Sequence, residues 1–173
     1  MKTLKTILLL TAIILSLNTA KADPPTLGAA LNTVAKAYFD VKNSLVANNV
    51  SATQKSALEL ITALNAVPDK SMTEGQHKFW FDYLNKLEYD SRHISESTAI
   101  DHQREHFGEL SNNIYIVLKR FNLNTATLYK QYCPMKKLYW VSETTTIKNP
   151  YYGTGSMITC GTTKEELKPL KNK

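Results

Sequence analysis

The sequence contains few of the residues on which common catalytic motifs depend. Its 173 residues include only two cysteines, four histidines and six glycines. The glycines form no phosphate-binding loop or nucleophile elbow, and the cysteines are too far apart for a Cys-x-x-Cys pair. The serines lack a recognisable base partner. We therefore expect a protein that is not an enzyme.

A long apolar run is found only near the N-terminus. Two lysines precede an apolar stretch from Ile7 to Leu17, and Ala20-Lys21-Ala22 is typical of a signal-peptide cleavage site. The stretch is too short for an ordinary membrane span, and no cysteine follows the cleavage site to accept a lipid. We therefore expect residues 1–22 to be a signal peptide. Residues 23–173 should form one periplasmic or secreted domain without a membrane span.

The charge of one sign that nucleic-acid binding needs is also missing. The full chain carries 21 Lys and Arg against 15 Asp and Glu, a formal net charge of +6. Without the three lysines of the signal peptide, 18 basic residues remain and the net charge falls to +3. In the tail, residues 163–173, only Lys168 to Lys173 is a basic run, and we expect that run to be solvated. This mild charge gives no argument for nucleic acid as a partner, and we expect none.

Apolar residues recur at spacings of three and four over about residues 26–121. This spacing is typical of helices that bury one face. The four apolar stripes run from Leu27 to Leu45, from Ala57 to Leu64, from His77 to Ile94, and from Ile100 to Phe121. Four such helices bury their apolar faces most simply against one another, as an antiparallel four-helix bundle.

Helix boundaries are predicted from turn and capping residues. The first helix should stop near Asn48, and Ser51 followed by Gln54 predicts a capping box for the second. The third helix should begin near Thr73. Thr98 followed by Asp101 predicts a second capping box, before the fourth helix.

The pattern changes after Asn122. Three short segments rich in β-branched and aromatic residues follow, separated by proline and glycine turns. These segments are Leu128–Tyr132, Leu138–Ser142 and Ser156–Thr159. We therefore expect a mainly α protein with a small C-terminal β appendage over about residues 122–162.

The appendage contains both cysteines and two of the four methionines. Thiolates and thioethers are the soft ligands that select Cu(I), and Cys133 lies beside Met135 as Cys160 lies beside Met157. The sequence thus predicts a soft-metal site. A Cys133–Cys160 disulfide is the alternative, because in a secreted protein it would close a loop and stabilise the fold by about 3.5 kcal/mol.

The histidines fall into two groups. His77 lies on the apolar stripe of the third helix, which predicts a partly buried ring. His93, His102 and His106 flank the turn between the third and fourth helices. In an antiparallel hairpin these three gather at one end of the bundle, with His77 at the other. The connection after the fourth helix is long enough for the appendage to reach either end.

One enzymatic alternative uses His102-Gln103-Arg104-Glu105-His106, which matches the H-x-x-E-H pattern of inverted zinc peptidases. The two histidines share a helix face, and Glu105 could activate a water molecule. Those enzymes are far larger, and they take a third carboxylate ligand from another helix. Because no residue here is a marked candidate for that ligand, a peptidase is a minor alternative.

Motifs across the chain resemble domain of unknown function 3347. They are His77 with Trp80, Tyr83 and Leu84; Gln103 to Phe107; Leu110-Ser111; Cys133-Pro134-Met135; Tyr139-Trp140; Asn149-Pro150-Tyr151 with Gly153; and Met157 with Cys160-Gly161. The likeness covers about residues 35–162. Members of that family are envelope proteins, alone or fused to periplasmic adaptors of heavy-metal efflux pumps. The resemblance implies copper or related metal handling, with His77 and His106 equally possible as imidazole ligands.

Cys133-Pro134-Met135 also resembles the start of the Tyr-Thr-Cys-Pro-Met-His-Pro signature of small heavy-metal-binding domains, with Lys136 in place of the histidine. We therefore expect a periplasmic module that binds a soft ion, Cu(I), and acts with an adaptor or efflux pump component. The predicted ligands are Cys133, Met135, Met157, Cys160, His106 and His77. The alternative function is a non-metal interaction domain that has the disulfide and docks such a partner.

Overall fold

The computed structural model describes residues 25–170, so the predicted signal peptide and the last three residues of the tail lie outside it. Four α-helices lead into a three-stranded antiparallel sheet, which confirms the mainly α class. The helices are α1 (Leu27–Val46), α2 (Val50–Asn65), α3 (Glu74–Glu96) and α4 (Ile100–Phe121). A short 3₁₀ helix, Asp69–Ser71, precedes α3. The strands are β1 (Leu128–Cys133), β2 (Leu138–Ser142) and β3 (Thr162–Leu167).

Side-chain caps fix where the first three helices begin. The Thr26 hydroxyl caps α1, and the Asn49 side chain caps α2 by accepting a bond of 2.9 Å from the Ala52 amide. Thr73 and Gln76 form a capping box at the start of α3, as the predicted boundary requires. These caps satisfy backbone donors that a helix cannot pair internally.

Both predicted capping boxes are wrong. Ser51 already lies inside α2, because Asn49 caps the helix two residues earlier. At α4 the N-cap position is Ala99, which has no side chain that can accept a hydrogen bond. The Ser97 hydroxyl instead accepts from the Ala99 amide at 3.1 Å and shapes the turn between α3 and α4.

The core lies between the helices, which contact one another in chain order and also through α1 and α4. The stripe predicted for the fourth helix is confirmed, since five of its members are buried: Phe107, Leu110, Ile114, Val117 and Phe121. Phe107 stacks on the Tyr38 ring of α1 at a centroid distance of 5.3 Å. Trp80 of α3 packs edge-on against Phe121 at 6.4 Å.

The sheet has the order β2-β1-β3 and turns back along α1 and α4. The Tyr38 hydroxyl lies 2.7 Å from the Ser111 hydroxyl and accepts a bond of 3.0 Å from the Val141 amide of β2. A Cβ atom on Gly108 would lie 3.2 Å from the Leu138 side chain. Gly108 therefore allows a strand, not another helix, to approach α4 closely.

The third predicted strand is wrong. Ser156–Thr159 forms turns, whereas β3 covers Thr162–Leu167 and pairs with β1. Residues 163–167, which were predicted as part of the tail, therefore lie in this strand. This edge strand is mostly polar and exposed, so it has no apolar pattern to reveal it. Its anchors include a 2.6 Å ion pair between Lys119 and Glu165.

Candidate metal centres

The two cysteines, distant in sequence, lie near each other in the folded protein. Cys133 is buried at the end of β1, and Cys160 is half-buried just before β3. Both are free cysteines in this structure, and they lie close enough for Cys133 to raise the pKa of the Cys160 thiol. This is the arrangement that either a shared metal ion or a disulfide needs.

The local backbone supports the Cys133 sulfur atom. The Lys136 amide donates a hydrogen bond to Cys133 Sγ at 3.4 Å, and Lys137 closes the turn in the left-handed region with a φ of 57°. An amide that donates to sulfur stabilises the negative charge of a thiolate. The turn therefore holds the Cys133 sulfur in place with one backbone hydrogen bond.

The surroundings of Cys160 favour its protonated form. Burial raises the pKa of the Cys160 thiol, and the nearby Cys133 raises it further. The pKa of Tyr152 is also raised, first by burial and then by the two cysteines. An ion that binds here must therefore displace a proton from Cys160.

The two predicted thioether ligands differ in exposure. Met157 is half-buried, and its carbonyl accepts a bond of 2.9 Å from the Cys160 amide. Met135 is 66% exposed in the turn that follows Cys133. The structure therefore buries Cys133, leaves Cys160 and Met157 half-buried, and exposes Met135.

His77 differs from its prediction. Its side chain is 51% exposed, and Nε2 lies 3.6 Å from Asp69 of the 3₁₀ helix. The ring also packs against Phe81 at 4.6 Å. The predicted partial burial is wrong because the first turn of α3 faces this short helix at the edge of the bundle.

His93, His102 and His106 form a histidine cluster. The nearest ligand atoms of the three rings all lie within 4.8 Å of one another. His106 stacks on His93 at a centroid distance of 4.3 Å and meets His102 edge-on at 4.7 Å. The prediction that these three gather at one end is confirmed.

The predicted ligands therefore do not all meet. Within residues 25–170, the histidine cluster is the only group of three or more His, Cys, Asp or Glu side chains close enough to share an ion. His106 belongs to this cluster, which contains no cysteine, whereas His77 faces Asp69. The structure thus contains two candidate centres, one of sulfur and one of imidazole.

A buried glutamine holds the turn that carries the histidine cluster. Gln103 Nε2 lies 2.9 Å from the Ser97 carbonyl and 3.2 Å from the carbonyls of Ile94 and Val50. These contacts join the end of α3, the start of α4 and the start of α2. His102 and His106 are one turn apart on α4, so their rings share a face opposite His93.

Asp90 is a member of this centre that sequence reasoning missed. Its side chain is only 7% exposed, and Oδ1 lies 3.0 Å from His106 Nδ1. Burial raises the pKa of Asp90, and the hydrogen bond from His106 opposes that rise. The available signal was its position three residues before His93, which places both on one face of α3.

The residues of the H-x-x-E-H pattern take different places. Glu105 is largely exposed and lies 3.5 Å from His102 Nδ1. The third residue beside the two histidines is His93 of α3, where the peptidase pattern needs a carboxylate. The cluster thus provides three imidazoles and differs from the ligand set of inverted zinc peptidases.

A family model with the description Protein of unknown function (DUF3347) matches residues 34–126, more than half of the chain. The predicted resemblance is confirmed, over a shorter stretch than residues 35–162. The matched stretch contains the histidine cluster and ends before either cysteine. Comparisons with curated proteins and with solved structures find no match.

Proposed function

The chain belongs to the family described as Protein of unknown function (DUF3347), and we propose that it is a periplasmic metal-handling module that binds Cu(I). The observation that supports this function most strongly is that the two free cysteines, Cys133 and Cys160, lie near each other. Two thiols held together by a fold are a soft ligand pair, and soft ligands select Cu(I) over the harder divalent ions.

The proposed ligands are the Cys133 and Cys160 thiolates, with the Met157 and Met135 thioethers as further donors. The Lys136 amide donates a hydrogen bond to the Cys133 sulfur. Because the pKa of Cys160 is raised by burial, binding releases a proton there and strengthens as the pH rises. Neither His77 nor His106 belongs to this proposed site.

The proposed partner is a periplasmic adaptor or efflux pump component. Met135, exposed beside the buried Cys133, offers an outer ligand through which an ion could pass to such a partner. No helix within residues 25–170 is long and apolar enough to cross a membrane. Contacts of Trp80 with Phe121 and of Asp90 with His106 support the proposed antiparallel order of α3 and α4.

The nearness of the two cysteines also favours a second function, an interaction domain without metal. In an oxidising compartment, adjacent thiols form a disulfide, and the oxidised pair cannot bind an ion. The protein would then act only by docking its partner. Thiol counting on protein isolated from cells grown with copper separates the two, because full oxidation favours the docking domain.

The direct test is competition between the reduced mature protein and a Cu(I) chelator. We expect the wild type to bind one Cu(I), and a Cys133→Ser/Cys160→Ser double variant to lose this binding. Replacing Met135 and Met157 by leucine should weaken Cu(I) binding and leave the fold intact. The control is Met72→Leu, which should leave Cu(I) binding unchanged. If the wild type and the double cysteine variant compete equally, the sulfur site does not exist.

A further inference from the structure

We propose that His93, His102 and His106 form a second metal site, which binds Zn²⁺. The inference goes beyond the proposed Cu(I) function, because it uses none of the sulfur ligands and does not depend on them. Imidazole nitrogen is a preferred ligand of Zn²⁺, and three histidines with one open position are a known zinc ligand set.

The ring positions suit one ion. Zinc bound at about 2.0–2.1 Å to three nitrogens in a tetrahedral arrangement holds them roughly 3.4 Å apart. The three ligand atoms here already lie within 4.8 Å of one another. His102 is half-exposed on its outer side, so a small rotation of its side chain can complete the approach.

Asp90 orients the ring that lies deepest. A carboxylate only accepts hydrogen bonds, so its 3.0 Å contact places the proton of His106 on Nδ1 and leaves the Nε2 lone pair for an ion. Metal-bound histidines almost always have such a partner on the other nitrogen. The near-complete burial of Asp90 makes this contact a built feature of the α3–α4 packing.

The centre is held firmly and can be reached from solvent. The buried Gln103 contacts both α3 and the turn before α4, which fixes the two helices that carry the ligands. A surface depression of about 310 Å³ is lined by His93, His102 and the turn residues from Glu96 to Ala99. This space admits an ion and the water molecule that would occupy its fourth position.

Aromatic packing is the competing explanation of the cluster. Tyr89 packs against His93 at 4.4 Å and against His106 at 5.8 Å, so the rings also stabilise one another. Packing alone does not require a buried carboxylate on His106 Nδ1. A metal site would bind added Zn²⁺, whereas a cluster that serves only aromatic packing would not.

The test is titration of Zn²⁺ alone, against a competing chelator, with the full mature protein carrying Cys133→Ser and Cys160→Ser. This background removes the sulfur ligands, so failure of the Cu(I) proposal does not affect the result. We expect one Zn²⁺ per chain. His102→Gln should weaken binding at least 100-fold, and Asp90→Asn should weaken it 10- to 100-fold.

His77→Gln is the matched control, because it removes an exposed histidine at the other end of α3, and we expect no change in affinity. Ring ¹⁵N chemical shifts should move at Nε2 of His106 on adding Zn²⁺. Thermal unfolding checks that each variant folds, and His102→Gln changes the most exposed ligand of the three. Equal competition by the parent and His102→Gln, or shifts at His77 in place of His106, would overturn the zinc site.

Discussion

At the scale of single residues, a few specific contacts fix the loop that contains Asn149-Pro150-Tyr151, one of the motifs that resemble those of the family. Arg104 of α4 donates to the Pro150 carbonyl at 2.9 Å and also bonds the Asn48 side chain. Gly153 lies against these two side chains with a φ of +62°. One glycine thus allows α4, the turn before α2 and the loop to meet.

We predict that Gly153→Ala destabilises the protein by about 1–3 kcal/mol. The added Cβ would lie 2.7 Å from Arg104 and closer still to Asn48, in a backbone region that side chains rarely adopt. Gly155→Ala is the control, because its nearest atom is the Tyr152 carbonyl oxygen at 3.8 Å. Denaturant unfolding measures both, and equal small effects would show that the loop tolerates a side chain at either position.

At the scale of elements, the buried faces of the helices were the most predictable feature. Leu31, Leu60, Leu87 and Ile114 each lie on a different predicted stripe, and each is buried. A helix repeats its buried positions over many residues, so single exceptions such as His77 do not obscure the pattern. The burial of His77 was predicted wrongly. Periodicity shows on which face of the helix a residue lies, but not whether another element packs against that turn of the helix.

Ile114→Ala tests the placement of the α4 core. We expect a loss of about 2–5 kcal/mol in the free energy of unfolding, because the side chain is fully buried and its removal leaves a cavity. Ile116→Ala, at a position 40% exposed, should cost much less. Chemical denaturation that gives equal costs would contradict the assigned core.

An ion pair joins α1 to the end of β2. Lys42 is buried and donates to Glu143, which is about one-third exposed. Burial alone would raise the pKa of Glu143, but the bonds from Lys42 and other donors lower it overall. Burial also lowers the pKa of Lys42, against the effect of its partner.

The pKa of Glu143 is lower in the folded protein than its ordinary value of 4.5. The Glu143 carboxylate therefore stabilises the fold fully above pH 4.5. This stabilisation is lost as the pH falls through the lowered pKa. The stability difference between the wild type and Glu143→Gln should therefore be largest near neutral pH and shrink in acid. Glu59→Gln, which removes an exposed pair with Lys55, should show little dependence. Denaturant unfolding of each variant at neutral pH and in acid measures this. A stability difference between the wild type and Glu143→Gln that stays constant with pH would contradict the role of the ion pair.

At the scale of the whole molecule, the sequence indicated the histidine cluster but not the separation of the two centres. The hairpin between α3 and α4 brings together residues that are close in sequence, so their meeting followed from helix geometry. The sheet instead returns along α1 and α4 through long-range contacts such as Tyr38 with Val141. Those contacts, and the polar strand β3, have no local signal in the sequence. The sequence therefore could not show that the cysteines lie apart from the histidine cluster.

The two centres would bind different ions, since one offers thiolates and the other imidazoles. X-ray absorption at the copper edge of the reduced, Cu(I)-loaded wild-type protein tests this division most directly. The account predicts a first shell of sulfur atoms, which the Cys133→Ser/Cys160→Ser variant should lose. A wild-type first shell made only of nitrogen would contradict it, because copper would then occupy the histidines and not the cysteine pair.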